Sequence, residues 1–415
     1  MADTRGQMKC SSCRMLIGPR IERNWAMSTP SFGPFRVDTR FRLLRSIALI
    51  FLVLACRSAH CGPDTAVDRL MSAYQGNVPG ASVLIVRDGR VILRRAYGFA
   101  DLENHVAAST STNYRLASMT KQFTAAAVLI LVQDKRLSLD DKISRWLPTL
   151  PDATSAITIR HLLTHTSGLI DYEEVMPPDT TRQLRDLDVL HLLEKQNRTY
   201  FQPGTRYLYS NSGYSLLSLI VAKASGTDFA SFLRERIFQP VGMKTTVAYE
   251  EGISTVANRA YGYSADEGKA GSWVRTDQSL TSAVLGDGGI YSSIDDLAKW
   301  DNALNGNGPL SEASLRLAFT AATHTDDPNV DYGFGWRISG ATVWHSGETQ
   351  GFRNVIVRYP KSHFTVIVLT NRNDPEPYTV ALAIAKLFIR DADAKRASQV
   401  VTGPDPSARP IPQGK

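Results

Sequence analysis

A serine and a lysine, three residues apart, open the most apolar stretch of the chain. Ser118 and Lys121 lie in the segment from Tyr114 to Val132, and its second half, from Phe123 onward, is almost entirely apolar. Such a run predicts a buried helix. Residues three apart share a helix face, so Lys121 can reach the Ser118 hydroxyl, and the helix start offers N–H groups to a developing oxyanion. The pair therefore predicts a serine nucleophile with lysine assistance. A helix-capping Ser followed by a surface Lys has the same spacing.

Tyr209 and Asn211 form a second polar pair, on a loop just before a predicted helix at 214–224. A Tyr beside Ser118 can act as a general base when a nearby cation lowers its pKa. The Asn211 amide can hold a substrate carbonyl and orient Lys121. The structural alternative is a loop Tyr packed on the core, with Asn211 as the N-cap of the helix.

A third patch, His345, Ser346, Gly347 and Glu348, begins a predicted strand. The Gly permits close backbone approach by a ligand. The N–H groups of Glu348 and Ser118 would together form a two-donor oxyanion hole. His345 and Ser346 would contact an anionic group on the substrate. A His at a strand edge and a Gly in a bulge would be the structural interpretation of the same residues.

Metal and cofactor motifs are incomplete in this sequence. His161 and His165 have the spacing of the zinc-binding H-E-x-x-H helix, but Leu162 occupies the position of its Glu. Cys10 and Cys13 form a C-x-x-C pair without a second Cys or His pair at suitable spacing. The sequence therefore predicts no metal and no cofactor.

The charge balance argues against a nucleic-acid partner. The 415-residue chain has a net charge of +7, and residues 1–61 carry all of it, so the remaining chain is balanced. A strong positive charge on the chain after residue 61 would have indicated a nucleic-acid partner. All four cysteines also lie in that first segment, so the body relies on neither disulfides nor thiolate metal sites.

Residues 40–62 have the layout of a signal peptide. Three arginines precede an apolar run from Ile47 to Ala55, and small and polar residues follow up to Gly62. The run is shorter than the ~20 apolar residues that a transmembrane helix needs. We therefore expect export, either with simple cleavage near Gly62 or with lipidation at Cys56, because the residues before Cys56 are similar to a bacterial lipoprotein cleavage box.

Four segments follow from these patterns. Residues 1–39 are expected to be a non-native or disordered extension, with translation starting at Met27, since signal peptides stand at the start of a chain. Residues 40–62 are the signal peptide region, and residues 63–390 form one catalytic domain. Residues 391–415 are charged and then Pro-rich, which predicts a disordered tail.

Strand signals cluster at the two ends of the domain. Two β-rich runs near the start are joined through Asp88-Gly89, a strong hairpin signal, and three further runs follow residue 342. Short links favour antiparallel pairing. We therefore predict an α/β (α+β type) fold: a five-stranded antiparallel sheet flanked by terminal helices, with an inserted all-helical subdomain that includes a helix at 137–147. A cleft between sheet and helices is the natural site.

In their order and context, the three patches resemble the serine β-lactamase and DD-peptidase superfamily. The Y-S-N form is similar to the branch that holds class C β-lactamases, D-alanyl-D-alanine carboxypeptidases and related esterases. The resemblance covers the chain from about Asp64 to about Ile389. The phrases that carry it are YRLASMTKQFTA, ITIRHLLTHTSGL, YSNSGYSLL, GGIYSSIDDLAKW and HSGETQGF.

The resemblance implies the same fold and a set of catalytic roles. Ser118 would be the acylated nucleophile, and Lys121 would assist its deprotonation. Tyr209 would shuttle protons and serve as the base for the deacylating water. Either Lys121 or Tyr209 is the acylation base, and the sequence does not choose between them. The substrate would be a β-lactam, a D-Ala-D-Ala peptide of peptidoglycan or a small ester. The enzyme would be a monomer in the bacterial periplasm.

By the same resemblance, Asn211 and His345 would position the substrate. Two residues, His345 and Glu348, depart from the family pattern. Class C β-lactamases carry Lys where His345 stands. This change argues against an efficient β-lactamase and would make anion binding pH-dependent, since His titrates near neutrality. Glu348 stands where a small residue is common, although only its amide is needed. The rival function is a non-catalytic penicillin-binding or sensor protein with the same fold.

Overall fold

The computed structural model describes residues 63–250 and 252–389. The predictions for residues 1–62, including the signal peptide and the Cys56 anchor, and for the tail from 391 to 415 lie outside the described residues. Within them no single helix is long and apolar enough to span a membrane, although Asn211–Ser225 and Phe229–Val241, bent by 78°, meet the length and composition requirement as a pair.

The strands of the described part are, in chain order, Ala81–Arg87 (β1), Arg90–Tyr97 (β2), Phe99–Asp101 (β3), Val106–Ala107 (β4), Tyr114–Arg115 (β5), Val247–Ala248 (β6), Tyr263–Ala265 (β7), Trp273–Arg275 (β8), Ile290–Ser292 (β9), Thr323–His324 (β10), Asp331–Tyr332 (β11), Arg337–Ser339 (β12), Thr342–Thr349 (β13), Phe352–Tyr359 (β14) and Phe364–Thr370 (β15). The α-helices are Pro63–Leu70 (α1), Lys121–Gln133 (α2), Ile143–Trp146 (α3), Ile159–Leu163 (α4), Asp186–Leu193 (α5), Asn211–Ser225 (α6), Phe229–Leu233 (α7), Gln239–Val241 (α8), Leu285–Gly288 (α9), Ile294–Asn302 (α10), Glu312–Phe319 (α11) and Pro377–Phe388 (α12).

The main sheet joins the two ends of the domain. Its order is β10-β11-β12-β13-β14-β15-β1-β2, and every neighbouring pair is antiparallel. The predicted α+β architecture is confirmed, but the predicted count of five strands is wrong. The five long strands were expected. The sheet has eight because three short strands, β10 to β12, extend it at one edge.

Alternating side chains of the central strands enter two different cores. On β1, Val83 and Ile85 pack with α1 and α12 in one apolar cluster, while Leu84 and Val86 belong to the larger cluster shared with the helical region. This follows from the two-residue period of a strand. The sheet is thus buried on both faces, by the terminal helices on one side and by α10 on the other.

Helix α2 is the central element of the larger core. Residues from Lys121 to Leu131 are all buried, as the apolar run predicted. The prediction of a helix at 137–147 is wrong for most of its length, because only α3 is helical within that segment. Ser138 and Asp141 form a turn there, in which the Asp141 carboxylate accepts from the Ser138 N–H at 3.0 Å. Such local side-chain bonds compete with helix formation.

Candidate active site

Ser118 lies on a 3₁₀ turn, Ala117–Thr120, that leads directly into α2. The strand before it, β5, pairs with β9, and the Leu116 N–H donates to the Ile290 carbonyl at 2.8 Å. Ala117 has a φ of +48°, a left-handed conformation that residues other than Gly rarely adopt and that often marks active sites. The backbone before the nucleophile is therefore held in an uncommon conformation.

Asn354 of β14 ties this segment to the main sheet. Its Nδ2 donates to the Arg115 carbonyl at 2.7 Å, and its Oδ1 accepts from the Thr370 N–H of β15 at 3.1 Å. Asn354 is fully buried. One side chain thus links the chain three residues before Ser118 to two central strands.

Lys121 is fully buried beside Ser118. Its ammonium donates to Ser118 Oγ at 3.1 Å, to Asn211 Oδ1 at 2.8 Å and to the main-chain carbonyl of Asp287 at 3.0 Å. An ammonium has three N–H donors, and these three acceptors match them. The structure therefore brings Ser118, Lys121 and Asn211 together, with Lys121 placed to exchange a proton with the Ser118 hydroxyl.

Tyr209 lies next to the same ammonium. Lys121 Nζ is 4.8 Å from the centre of the Tyr209 ring, and the guanidinium carbon of Arg337 is 5.5 Å from it. Both distances lie within the range of cation–π attraction. Arg337 was not anticipated from the sequence. It reaches Tyr209 only because the short strand β12 joins the main sheet.

The N-terminus of α6 is capped by Ser210, so the alternative role considered for Asn211 is wrong. Ser210 Oγ accepts from the Gly213 N–H at 3.1 Å. Asn211 is the first helical residue, and its amide oxygen is left to accept from Lys121.

His165 positions the Tyr209 loop. Its Nδ1 accepts from the Ser210 N–H at 3.0 Å, its main-chain carbonyl accepts from the Leu208 N–H at 2.9 Å, and its ring stacks on Tyr209 with 4.3 Å between centroids. His165 is fully buried, and burial lowers its pKa well below the ordinary value, with Lys121 adding to the effect. A neutral imidazole with a free Nδ1 lone pair suits this acceptor role.

The edge of β13 beside Ser118 depends on Gly347. Strand β12 pairs with β13 only as far as Trp344, so the remainder of that edge faces the 3₁₀ turn. A Cβ on Gly347 would lie 1.9 Å from the Leu116 carbonyl oxygen and 3.1 Å from the Met119 nitrogen. Only Gly permits such an approach. It brings β13 against the turn that carries Ser118, and Ser118 and Glu348 line the same cleft, so the predicted two-donor oxyanion hole fits this arrangement.

His345 is buried behind this edge and does not titrate near neutrality. The Tyr332 hydroxyl donates to its Nε2 at 3.0 Å, and its Nδ1–H donates to the Ser346 carbonyl at 2.6 Å. Burial lowers the pKa of His345 well below its ordinary value, and Arg337 adds to the effect. The expectation of pH-dependent anion binding by a titrating His345 is therefore wrong. Ser346 is half-buried, and its role in substrate binding stays a prediction.

A buried carboxyl, Asp287, lies beside the reacting groups and was missed in the sequence. Its Oδ2 accepts from the Tyr172 hydroxyl at 3.2 Å. Burial raises the pKa of Asp287 to about 7, although Lys121 opposes the rise. The available signal was an acidic residue inside the Gly-rich turn GDGG, which is an unusual place for a charge.

A cleft of about 760 Å³ opens in front of Ser118. Of the predicted site residues, Ser118, Asn211 and Glu348 line it, whereas Lys121, Tyr209, His345, Ser346 and Gly347 do not. Its other walls come from loops at 172–183 and 278–281 and from the end of β13. Between residues 63 and 389, leaving out residue 251, no group of three or more His, Cys, Asp or Glu side chains could hold a metal ion.

Comparisons with known proteins identify relatives of this chain. The chain is 33% identical over 336 residues to penicillin-binding protein 4* of Bacillus subtilis, which covers 77% of this chain and 73% of that protein. It is 28% identical over 351 residues to a D-aminopeptidase of Gluconobacter oxydans, which covers 82% of this chain and 64% of the relative. The chain thus spans less than two thirds of the second relative.

A solved structure shares the fold. The D-amino acid amidase of Ochrobactrum anthropi SV3, complexed with L-phenylalanine amide, has a TM-score of 0.66 and 25% sequence identity, covering 81% of this chain and 98% of the amidase. The family model named Beta-lactamase matches residues 64–390, which is most of the chain and includes every residue of the site. The chain therefore belongs to the Beta-lactamase family of serine hydrolases.

Proposed function

We propose that the chain hydrolyses an amide or ester of a small molecule or short peptide through an acyl-enzyme on Ser118. One observation carries this proposal. The buried Lys121 ammonium lies between Ser118 Oγ and Asn211 Oδ1 at the cleft. A lysine held in contact with a serine hydroxyl is an arrangement that activates the serine as a nucleophile.

The acylation step needs a proton acceptor and an oxyanion site. Ser118 Oγ bonds to the substrate carbonyl carbon, and its proton passes to Lys121 or to Tyr209. The N–H groups of Ser118 and Glu348 hold the charge that develops on the carbonyl oxygen. The leaving amine or alcohol departs with the proton, after which a water molecule, deprotonated by the same acceptor, attacks the ester and releases the acid and free Ser118.

Three substrate classes follow from the family: a β-lactam, a D-Ala-D-Ala peptide or a small ester. The relatives named D-aminopeptidase and D-amino acid amidase support amide hydrolysis. His345 supplies no cation for a substrate carboxylate, because it is buried and its pKa is lowered. This observation favours amides and esters without a carboxylate over β-lactams.

Intact-mass measurement after incubation with a penicillin, with p-nitrophenyl acetate and with a fluorophosphonate tests the proposal. We expect a single covalent adduct on Ser118 and steady ester turnover. Both should disappear in Ser118→Ala and persist in Ser155→Ala, a matched change at an exposed serine. A folded protein that none of the three probes labels would instead be a non-catalytic binder. A penicillin adduct that never turns over, without ester cleavage, would indicate a penicillin sensor.

We further propose that the protein is exported to the bacterial periplasm, as a monomer, with a lipid anchor at Cys56 as the alternative to simple cleavage. The arginines and apolar run at 40–55 support export. Palmitate labelling that is lost in Cys56→Ser but kept in Cys61→Ser would support the anchor, and unlabelled, processed protein in the periplasmic fraction would support cleavage. Light scattering of the purified protein measures its oligomeric state.

A further inference from the structure

Asp287 contacts Lys121 through its main chain, while its carboxyl group lies on the wall of the cleft. Its carbonyl oxygen accepts from Lys121 Nζ at 3.0 Å. Its side chain is 7% exposed and lines the cleft together with Ser118. One residue therefore gives the Lys121 ammonium a neutral acceptor and, next to it, a group that is negative only when it is ionised.

The short helix that carries Asp287, α9, is held in place from two sides. The N–H groups of its first two residues donate to the buried Asp186 carboxyl at 2.9 and 3.1 Å. On the side of α6, a Cβ on Gly286 would lie 2.3 Å from the Tyr214 carbonyl oxygen, so the two backbones are in direct contact. The fold therefore fixes the position of Asp287 relative to Lys121.

The ionisable groups that face the Asp287 carboxyl come from three elements. Lys121 of α2 is a cation, and Asp186 of α5 is an acid. The loop before α5 contributes Glu173 and Tyr172, whose hydroxyl donates to Asp287 Oδ2 at 3.2 Å. Burial raises the pKa of Asp287 to about 7 against the opposing effect of Lys121. The charge of this carboxyl therefore changes near neutrality.

We propose that the charge of Asp287 controls, through Lys121, the transfer of the Ser118 proton, which makes Asp287 a positioning residue for acylation. An ionised carboxyl favours the ammonium form of Lys121, because opposite charges attract, and an ammonium cannot accept a further proton. A neutral Asp287 removes this attraction and leaves the lysine freer to take the proton. The inference rests on the proposed function and adds a control of the same site.

The direction of the effect is the same if Tyr209 accepts the proton. Tyr209 must then carry a negative charge first, and the Lys121 ammonium, 4.8 Å from the centre of its ring, favours that charge. An ionised Asp287 partly neutralises the field of this ammonium and so disfavours the state that accepts the proton. With either acceptor, ionisation of Asp287 moves the onset of acylation to higher pH.

The test is the pH dependence of the first turnover with p-nitrophenyl acetate, an ester without an ionisable group. In the native chain the acylation rate should rise with pH. In Asp287→Asn, which keeps the shape and an acceptor for Tyr172, the midpoint of this rise should move by about one pH unit or more towards acid, the usual size of such a charge effect. The variant should be faster than the native chain on the acid side and slower on the alkaline plateau, because its proton acceptor is a weaker base.

Tyr172→Phe is a second variant that leaves Asp287 itself in place. It keeps the ring and removes the hydroxyl that stabilises the ionised carboxyl, so the rise should move in the same direction by a smaller amount. Asp179→Asn is the matched control, since it removes a carboxyl from an exposed position on the same loop, outside the cleft wall. Its profile should coincide with the native one.

Three results would overturn the role of Asp287. They are a native profile without a rise, an Asp287→Asn profile that coincides with the native one, and an Asp287→Asn profile lowered by the same factor at every pH, which a merely structural role would give. Fluorophosphonate labelling of Ser118 separates these results from failure of the proposed function. A labelled chain with unshifted profiles refutes only the role of Asp287, whereas a folded chain without labelling refutes the acyl-enzyme.

Discussion

Gly347 and Leu116 approach so closely that a Cβ on Gly347 would lie 1.9 Å from the Leu116 carbonyl oxygen. Strand β13 therefore touches the turn that carries Ser118 with bare backbone on both sides. Gly347 is needed for this approach because it has no side chain.

Gly347→Ala should separate β13 from the nucleophile turn. We expect kcat/KM to fall by about 100-fold or more, since a displacement of about 1 Å in an active site has that effect, and the free energy of unfolding to fall by about 1–3 kcal/mol from overpacking. Ester hydrolysis and chemical denaturation measure the two effects. Gly213→Ala is the control, because a Cβ there has only ordinary contacts at 3.5 Å and beyond; equal activity of the two variants would contradict the argument.

Lys121→Met should remove the proton acceptor that contacts Ser118 while keeping the apolar stem buried. We expect the acylation rate to fall by about 10²- to 10⁴-fold, the usual contribution of general acid–base catalysis. Stopped-flow measurement of the first turnover with an activated ester reports this rate. Lys223→Met, at an exposed position on α6, should acylate normally. An acylation rate within tenfold of the native value in Lys121→Met would assign the base to Tyr209.

His165→Phe keeps a ring against Tyr209 but removes the acceptor for the Ser210 N–H. We expect kcat to fall by about tenfold or more with little change in KM, because the Tyr209 loop shifts while the cleft walls stay in place. His165→Asn retains an acceptor and tolerates the left-handed backbone of this position, φ +60°, so it should recover part of kcat. A purely structural role would lower thermal stability in both variants without this difference.

Asp287 should make the protein less stable as the pH rises. Its pKa of about 7 in the folded state lies above the ordinary value of 3.8, so the folded state binds the proton more tightly than the unfolded state does. The resulting stabilisation is complete below pH 3.8 and is lost as the pH rises from that value through about 7. Asp287→Asn, neutral at every pH and still able to accept from Tyr172, should raise Tm by at least ~2 °C at about pH 8 and by less near pH 4.

The same substitution at exposed Asp179 serves as the control for Asp287 and should leave Tm unchanged at both pH values. If Asp287→Asn shifted Tm equally at both ends of the range, the carboxyl would not be the titrating group. Thermal melts followed by circular dichroism across the pH range supply the measurement.

Long, strongly patterned elements were predictable from the sequence. The turn Asp88-Gly89 has positive φ at both residues, 50° and 72°, as its hairpin signal requires. Helix α6 includes the whole of the predicted segment 214–224 and is closed by Gly226 in the left-handed conformation. The short strands β10 to β12 were missed because two or three residues show no period.

The catalytic pair was predictable because Ser118 and Lys121 are close in sequence and their contact is local. The roles of His165 and Asp287 were not, because each depends on contacts with residues far away in the chain. For His345, by contrast, the sequence suggested a property that the residue does not have in the folded protein. Its residue type indicated a titrating group at the site, whereas its burial, which no local pattern reveals, keeps it neutral.

The two bonds of Asn354 have a consequence for the order of synthesis. This side chain links the segment before Ser118 to β15, and both β14 and β15 are made long after Ser118, since 239 residues separate Asn354 from Arg115. Until those strands emerge and pair with β1, the turn bearing the nucleophile has neither its anchor nor the neighbouring Glu348 amide. A nascent or truncated chain thus exposes an ordinary serine, and the reactive one exists only once the C-terminal strands have closed the sheet.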